Sequence, residues 1–229
     1  MSGHLNPGGQ QFRDDDGAAH PRVTAALAAY HAGQGSERDA LVALSAARLI
    51  VPVIAVLADG SAVGGNKNSE MVLPTLIGQD GRPALLAFTG LAPLARWRPN
   101  ARPVPAEADR VWRAAAADGC AVVIDVAGPV PLAVEGTRLA ALAAGQPVPA
   151  AHEDGDVRAE VEAAIAAEPV IAGFSLAPSQ QVDLAVRLHL SAGDWRPGVN
   201  QVAQSIAGRL AGRLRRGVEF SVTRDPIGS

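Results

Sequence analysis

The chain is poor in several residue types, and each shortage excludes a class of protein. Its 229 residues include one cysteine, so no internal disulfide can form, which fits a reducing cytoplasm. Aromatic residues make up 3% of the chain, too few for the stacking platforms that hold single-stranded nucleic acid. No run approaches the roughly 18 apolar residues of a membrane span, so we expect no membrane-spanning segment.

Neither sign of charge is in large excess. The 20 basic and 23 acidic side chains give a net charge of -3, which argues against a surface built for nucleic acid or anionic lipid. The polar start of the chain lacks a basic segment followed by an apolar one, so we expect no secretory signal and a cytoplasmic protein. The apolar fraction of 48% is ample for the core of one or two globular domains.

The residue pattern divides the chain into four parts. We expect a disordered leader over 1–20, an N-terminal domain over 21–145, and a linker over 146–155 that is rich in Pro, Ala and acidic residues. A C-terminal α/β module over 156–229 follows. The predicted fold class is α+β: a mostly antiparallel sheet with helices, followed by a small α-β-β-α-β module.

Helix boundaries are marked by specific residues. Pro21 suits a first helical position, and Gly33 ends that helix. Ser36 and Asp39 resemble a capping box in which Asp replaces the usual Glu, so they open a second helix. Asp156 is expected to cap the first helix of the C-terminal module.

Strands in the first domain are predicted from apolar runs. The segment 49–57 is apolar on both faces, and Pro52 within it predicts an edge position or a bulge. Further strands are expected over 71–77 and 84–88, so we predict a meander of antiparallel hairpins rather than a βαβ unit. The segment 98–105 holds three prolines and is expected to be an extended surface linker.

The C-terminal module carries the clearest periodicity. Apolar and polar residues alternate over 182–190, which predicts a strand with one buried face in a small antiparallel sheet. A helix face then follows at helical spacing, formed by Val199, Val202, Ile206, Leu210 and Leu214.

Three features suggest chemistry, and each has a simpler explanation. The Gly-rich loop over 59–70 contains Lys67, but Asn66 and Asn68 flank the lysine where a phosphate-binding loop needs Gly and Ser or Thr, so a surface loop is expected. Cys120 has no neighbour that lowers a thiol pKa, and we predict a small buried hydrophobe. The histidines have no metal-ligand spacing, so neither a metal site nor a catalytic triad is predicted.

Arginine occurs in two suggestive groups. Arg209, Arg213 and Arg216 form a helical stripe, which is explained either by the dipole of a helix C-terminus or by a basic docking edge for an acidic partner. Trp97 and Trp112 are separated by an Arg- and Pro-rich linker, and Arg96, Arg98 and Arg102 lie in or beside it. This composition is typical of interface hot spots and also of the rim of a core.

Several motifs together resemble the SseB N-terminal domain in its actinobacterial form. The likeness covers about residues 22 to 145, and the remainder resembles the smaller C-terminal segment of the same proteins. The family is named for enhanced serine sensitivity, and the resemblance implies no catalytic residue and no cofactor. The motifs that carry the likeness are 49–53 (LIVPV), 70–76 (EMVLPTL), 80–82 (DGR), 88–89 (FT), 96–99 (RWRP) and 125–130 (DVAGPV).

These observations favour a non-catalytic cytoplasmic protein with a regulatory or protein-interaction role. The competing hypothesis is a small-molecule-binding protein or an enzyme acting on an amino-acid-related metabolite. A protein partner is expected, nucleic acid and membrane are not, and self-association stays open. The candidate ligand or partner surface consists of Asn66, Lys67, Glu70, Asp80, Arg96, Trp97 and Arg98.

Overall fold

The computed structural model describes residues 15–57, 69–78, 81–191 and 195–224. Helices and strands are interspersed along these ranges, and most of the strand pairs are antiparallel, so the predicted α+β class is confirmed. In chain order the elements are α1 (Pro21–His31), α2 (Glu37–Ser45), β1 (Arg48–Leu57), β2 (Ser69–Val72), β3 (Thr75–Ile77), β4 (Pro83–Ala87), α3 (Leu91–Trp97), β5 (Arg102–Glu107), α4 (Ala108–Ala117), β6 (Ala121–Ile124), β7 (Leu132–Val134), α5 (Gly136–Ala143), α6 (Gly155–Ile165), β8 (Ile171–Ala177), β9 (Leu184–Leu190), α7 (Arg196–Leu210) and β10 (Val218–Arg224).

The strands form three sheets within two compact units. The first unit comprises 1–25 and 43–146, and the second comprises 26–42 and 147–229. Sheets with the strand orders β2-β1-β5 and β3-β4-β6-β7 belong to the first unit, and β10-β9-β8 belongs to the second. The residues of α1 and α2 are therefore divided between the units, although α1 and α2 precede every strand of the first one.

Both predicted signals at the first two helices are confirmed. Gly33 follows α1 with φ at 66°, a left-handed conformation that glycine adopts without steric cost. At the start of α2, the amide of Asp39 donates to Ser36 Oγ at 3.1 Å. The amide of Ser36 donates in return to the Asp39 carboxylate at 3.2 Å. This reciprocal pair satisfies backbone donors that the helix itself leaves unpaired.

The second half of the predicted linker over 98–105 instead belongs to a strand. The strand accommodates its prolines because they occupy positions whose amide would make no hydrogen bond to the neighbouring strand. Residues Arg102–Glu107 form β5 and pair antiparallel with β1. The amide and carbonyl of Ile50 both bond to Phe88, at 2.7 and 2.8 Å, rather than to β5. The pairs Ile50–Pro105 and Pro52–Pro103 are therefore non-hydrogen-bonded pairs, whose backbone groups point away from each other. Proline costs no hydrogen bond at these positions.

The predicted meander is wrong in two respects. The segment predicted as one strand over 71–77 breaks before Thr75, and its halves β2 and β3 join different sheets. The central strands β4 and β6 run parallel, with α3, β5 and α4 between them along the chain. Their carboxyl ends therefore meet at one edge of the sheet.

In the second unit the predicted order α-β-β-α-β is confirmed. The even-numbered residues of β9 pack with the buried face of α7 and with α6, as the alternation predicts. Two details of the prediction are wrong. β10 pairs with β9 in parallel, so this sheet is mixed. The cap of α6 is Asp154 rather than Asp156, and its side chain accepts a hydrogen bond from the amide of Asp156 at 2.8 Å.

Candidate functional site

The short helix α3 presents the most suggestive surface of the first unit. It starts after Gly90 and ends before Arg98, the C-cap residue, whose amide donates to the carbonyl of Leu94 at 2.8 Å. Leu94 is buried and anchors the helix, whereas Arg96 and Arg98 are exposed and Trp97 between them is half-buried. The sequence pattern Arg-Trp-Arg therefore exposes two cations beside part of a large aromatic ring.

Trp97 rests on the core of the first unit. Its ring centroid lies 5.6 Å from that of Phe88, at an interplanar angle of 35°. Phe88 is fully buried, in a cluster with Ile50, Leu86, Leu94 and Ala101 against which Trp97 packs. The guanidinium carbon of Arg98 lies 5.8 Å from the Trp97 ring centroid, within range of a cation–π interaction. These two contacts restrain the Trp97 ring.

A turn after α3 leads to a third exposed arginine. The amide of Ala101 donates to the carbonyl of Arg98 at 3.1 Å, and Ala101 is buried in the cluster beneath Trp97. Arg102 follows as the exposed first residue of β5. We call Arg96, Trp97, Arg98 and Arg102 together the Trp97 surface.

A buried polar network lies at the carboxyl ends of β4 and β6. Asp125 follows β6, and its carboxylate accepts from the Thr89 amide at 2.8 Å and from Thr89 Oγ1 at 2.6 Å. Asp125 adopts φ at 48°, a conformation that Asp tolerates better than most residues. Burial raises the pKa of Asp125, and the two hydrogen bonds from Thr89 oppose that rise.

Arg48 connects this network to the residues before α1. Its guanidinium donates to the carbonyl of Thr89 at 3.0 Å and to that of Ala18 at 2.8 Å. The same group forms an ion pair with Asp15, and hydrogen bonding from Arg48 lowers the pKa of that carboxyl group. Arg48 bonds to Thr89, and Thr89 bonds to Asp125. The network therefore joins β1 to the chain segments that follow β4 and β6. The end of the predicted leader, 15–20, takes part in it.

The structure brings together only part of the predicted site. Arg96, Trp97 and Arg98 are adjacent on α3 and just after it, as described above. Glu70 lies on β2, where it pairs with Val56 of β1. The remaining predicted residues, Asn66, Lys67 and Asp80, lie outside the described residues.

Sequence reasoning missed the Arg48–Thr89–Asp125 network. It grouped Arg102 with Arg96 and Arg98 in an Arg- and Pro-rich linker but did not include Arg102 in the candidate surface. Asp125 at the end of an apolar strand was a usable signal, since polar residues after parallel strands meet at one sheet edge. That inference required the parallel pairing of β4 with β6, which the pattern did not reveal.

Cys120 does not have the environment of a nucleophile. Burial raises the pKa of its thiol, and the nearby charge of Asp118 raises it further. The residue is half-buried rather than buried as predicted, with Sγ 3.6 Å from the carbonyl oxygen of Asp118. A thiol with a raised pKa holds little of the reactive thiolate at neutral pH.

The arginine stripe near the end of α7 is engaged within the second unit. Arg209 lies 2.9 Å from the carboxylate of Glu160, and Arg216 lies 4.0 Å from that of Asp183. Arg213 bonds to two carboxylates, those of Asp154 at 2.6 Å and Glu37 at 3.2 Å. The hypothesis of a basic docking edge therefore loses its support, because these cations already neutralise acids of the same unit.

Metal-ligand groups and membrane-spanning helices are both absent from the described residues. No group of three or more His, Cys, Asp or Glu side chains in these residues is arranged to hold a metal ion. None of the helices they form combines the length and the apolar character needed to cross a membrane.

The fold of the described residues defines the class as an α+β protein. Comparison with protein families gives a more specific assignment, because the model of the SseB protein N-terminal domain matches residues 23–141. That span is more than half of the chain, and the chain belongs to the SseB family. No curated protein and no solved structure matches the sequence.

Proposed function

We propose that this SseB-family chain is a non-catalytic cytoplasmic protein that acts by binding another protein through the Trp97 surface. One observation carries the proposal: the Trp97 ring is half-exposed yet fixed by Phe88 at 5.6 Å and by Arg98 at 5.8 Å. A side chain ordered before binding loses little conformational entropy on binding, so more of its contact free energy contributes to affinity.

The residue types of the surface support the same proposal. Tryptophan and arginine are the side chains most enriched among residues whose truncation weakens an interface. Exposed Leu91 stands on the same helix and adds apolar area. A regulatory role follows from such a protein when binding alters the activity of the partner.

The test is affinity purification of the tagged full chain from its native cytoplasm, with mass spectrometry of co-purified proteins and small molecules. We expect a stoichiometric protein partner that is lost when Trp97→Ala is introduced. Trp195→Ala is the matched control, because Trp195 is also half-buried and has the guanidinium of Arg196 over its ring at 5.5 Å. Circular dichroism of each variant establishes that both fold.

Two outcomes would contradict the proposal. A partner retained by Trp97→Ala and lost from Trp195→Ala would place the binding surface in the other compact unit. A protein that purifies alone with a bound metabolite would favour the small-molecule hypothesis instead.

A further inference from the structure

Arginine pairing is unevenly distributed along this chain. Arginines in both compact units lie within 4.0 Å of a carboxylate, even where both side chains are well exposed: Arg48 with Asp15, Arg82 with Glu135, Arg110 with Glu107, Arg113 with Asp109, Arg209 with Glu160, Arg213 with Glu37 and Asp154, and Arg216 with Asp183. Other exposed arginines, such as Arg22, Arg158 and Arg187, form no such ion pair in the described residues.

The arginines of the Trp97 surface lie close together in the sequence and also lack an ion pair in the described residues. Arg96, Arg98 and Arg102 are all exposed, and within the described ranges none of them has a carboxylate partner. The sequence explains this, because no acidic residue occurs between Asp80 and Glu107 in a chain that has 23 of them. In the stretch 96–102, a chain of net charge -3 thus has three exposed arginines without a carboxylate partner among the described residues, and the half-buried Trp97 lies in the same stretch.

The backbone beneath these charges is restrained. Proline fixes φ near −65°, and Pro99 and Pro103 lie within the segment that carries Arg98 and Arg102. The bond from Ala101 to Arg98 closes the turn between them. Arginine guanidinium groups pair with carboxylates through two parallel hydrogen bonds and are weakly hydrated, so they lose little on leaving water.

We infer that the partner of the Trp97 surface presents an acidic segment, whose carboxylates pair with Arg96, Arg98 and Arg102 while an apolar side chain of the segment covers Trp97. This inference rests on the proposed function and adds the chemistry of the partner. Charge complementarity supports this inference, because the stretch 81–106 contains no acidic residue and an acidic segment would supply the missing carboxylates.

Nucleic acid is the other polyanion that such charges attract. The chain as a whole is acidic, and aromatic residues are 3% of it, so the single Trp97 ring has few companions for stacked bases. Repulsion from the remaining surface also disfavours a long polyanion, whereas a short acidic segment of a folded protein meets only the local charge.

The experiment is fluorescence anisotropy of the full chain with a short labelled peptide that combines Asp and Glu with Leu and Phe. A second peptide replaces Asp and Glu by Asn and Gln, and a single-stranded oligonucleotide forms a third probe. We expect the acidic peptide to bind, and its affinity to fall steeply between ~0.1 and ~1 M NaCl, where the Debye length shortens from ~10 to ~3 Å.

The decisive variant combines Arg96→Gln, Arg98→Gln and Arg102→Gln. We expect about tenfold weaker binding of the acidic peptide, since exposed charge pairs each contribute modestly and three are removed. The control combines Arg22→Gln, Arg110→Gln and Arg113→Gln, which removes the same charge from exposed sites on α1 and α4. That control should change the affinity by less than about twofold.

Three results would overturn the inference. They are equal binding of the acidic and neutral peptides, equal losses in the two triple variants, and tighter binding of the oligonucleotide than of the peptide. Failure of this inference can be distinguished from failure of the proposed function. A captured protein that depends on Trp97 but is unaffected by salt and by the arginine substitutions would leave the function intact and remove only its acidic partner.

Discussion

Arg213 and Arg98 show two opposite uses of the same side chain. Arg213 in the second unit is 19% exposed and bonds to the carboxylates of Glu37 and Asp154, which are 7% and 1% exposed. Arg98 in the first unit is exposed, and its guanidinium lies over Trp97. Arg213 therefore stabilises its own unit, whereas the role proposed for Arg98 is to bind a partner.

The comparison extends to pKa values and to chain connectivity. Burial lowers the pKa of Arg213, but the charge of Glu37 and the hydrogen bond to Asp154 outweigh it and raise the pKa overall. Asp154 also caps α6, so its two oxygens serve two purposes. These contacts connect residues far apart in the chain, and they place the start of α2 in the second unit, although the SseB domain model spans it.

The largest effect is expected when the second unit loses its early residues. A fragment of residues 147–229 lacks Glu37 and Tyr30, whose hydroxyl donates to the carbonyl of Gly212 at 2.8 Å. Burying one aromatic side chain contributes ~1.5–3 kcal/mol, and leaving Asp154 and Arg213 without Glu37 removes more. We expect no cooperative thermal unfolding of the fragment by circular dichroism.

A peptide of residues 21–45 provides the control for that fragment. Added in excess, it should restore a cooperative transition, because it supplies both missing contacts. A fragment that unfolds cooperatively without the peptide would show that the second unit does not depend on residues 26–42.

The next largest effect separates the two kinds of arginine directly. Arg213→Met leaves two buried carboxylates without their cation, which typically costs ~3–5 kcal/mol. Arg209→Ala removes a pair in which both side chains are 45% exposed, and such pairs contribute ~0–1 kcal/mol. Urea unfolding of both variants measures the difference, and equal losses would mean that burial of the Arg213 cluster does not matter.

Local signals predicted the second unit better than the first. Ser36 and Asp39 act within four residues of each other, and the alternation in β9 depends only on which face is buried, so both were legible in the sequence. The parallel pairing of β4 with β6 brings together residues separated by β5 and two helices. No residue pattern within either strand specifies that partner.

The candidate site was predicted in the same uneven way. Arg96, Trp97 and Arg98 are adjacent in sequence, so composition alone grouped them. Arg102 was left out of the candidate surface because two prolines make β5 resemble a linker, and only the pairing of Ile50 with Phe88 shows that those prolines need no partner on β1. The Asp125–Thr89 contact spans 36 residues and was not predictable from spacing.

A smaller effect is expected from pH and tests whether Asp125 is structural. Burial raises the folded-state pKa of Asp125 above 3.8, so the folded state holds its proton at pH values where the unfolded state has lost it. The free energy of unfolding therefore falls as pH rises from about 4 through the raised pKa. Asp125→Asn removes this contribution and tolerates the same backbone conformation, so the decline should be shallower.

Thr89→Val provides the comparison for Asp125→Asn. It removes the hydroxyl donor that favours the ionised carboxylate, so the decline with pH should become steeper, with a loss of ~1–3 kcal/mol at neutral pH. Urea titrations across the pH range measure both variants. Burial also raises the pKa of Asp183, so a residual decline in Asp125→Asn is expected. Identical pH profiles for wild type and Asp125→Asn would contradict the role assigned to the carboxylate.

The smallest effect on stability is expected on the Trp97 surface, where binding is expected to be affected most. Arg96→Gln and Arg102→Gln remove exposed cations that have no carboxylate partner in the described residues, so each should change the free energy of unfolding by less than ~0.5 kcal/mol. Arg98→Gln also removes a cation–π contact and should cost ~0.5–1 kcal/mol. Losses near those of Arg213→Met would show that these arginines, like the buried one, are committed to the fold. A surface whose arginines are nearly silent in unfolding and decisive in peptide binding is instead one maintained for a partner.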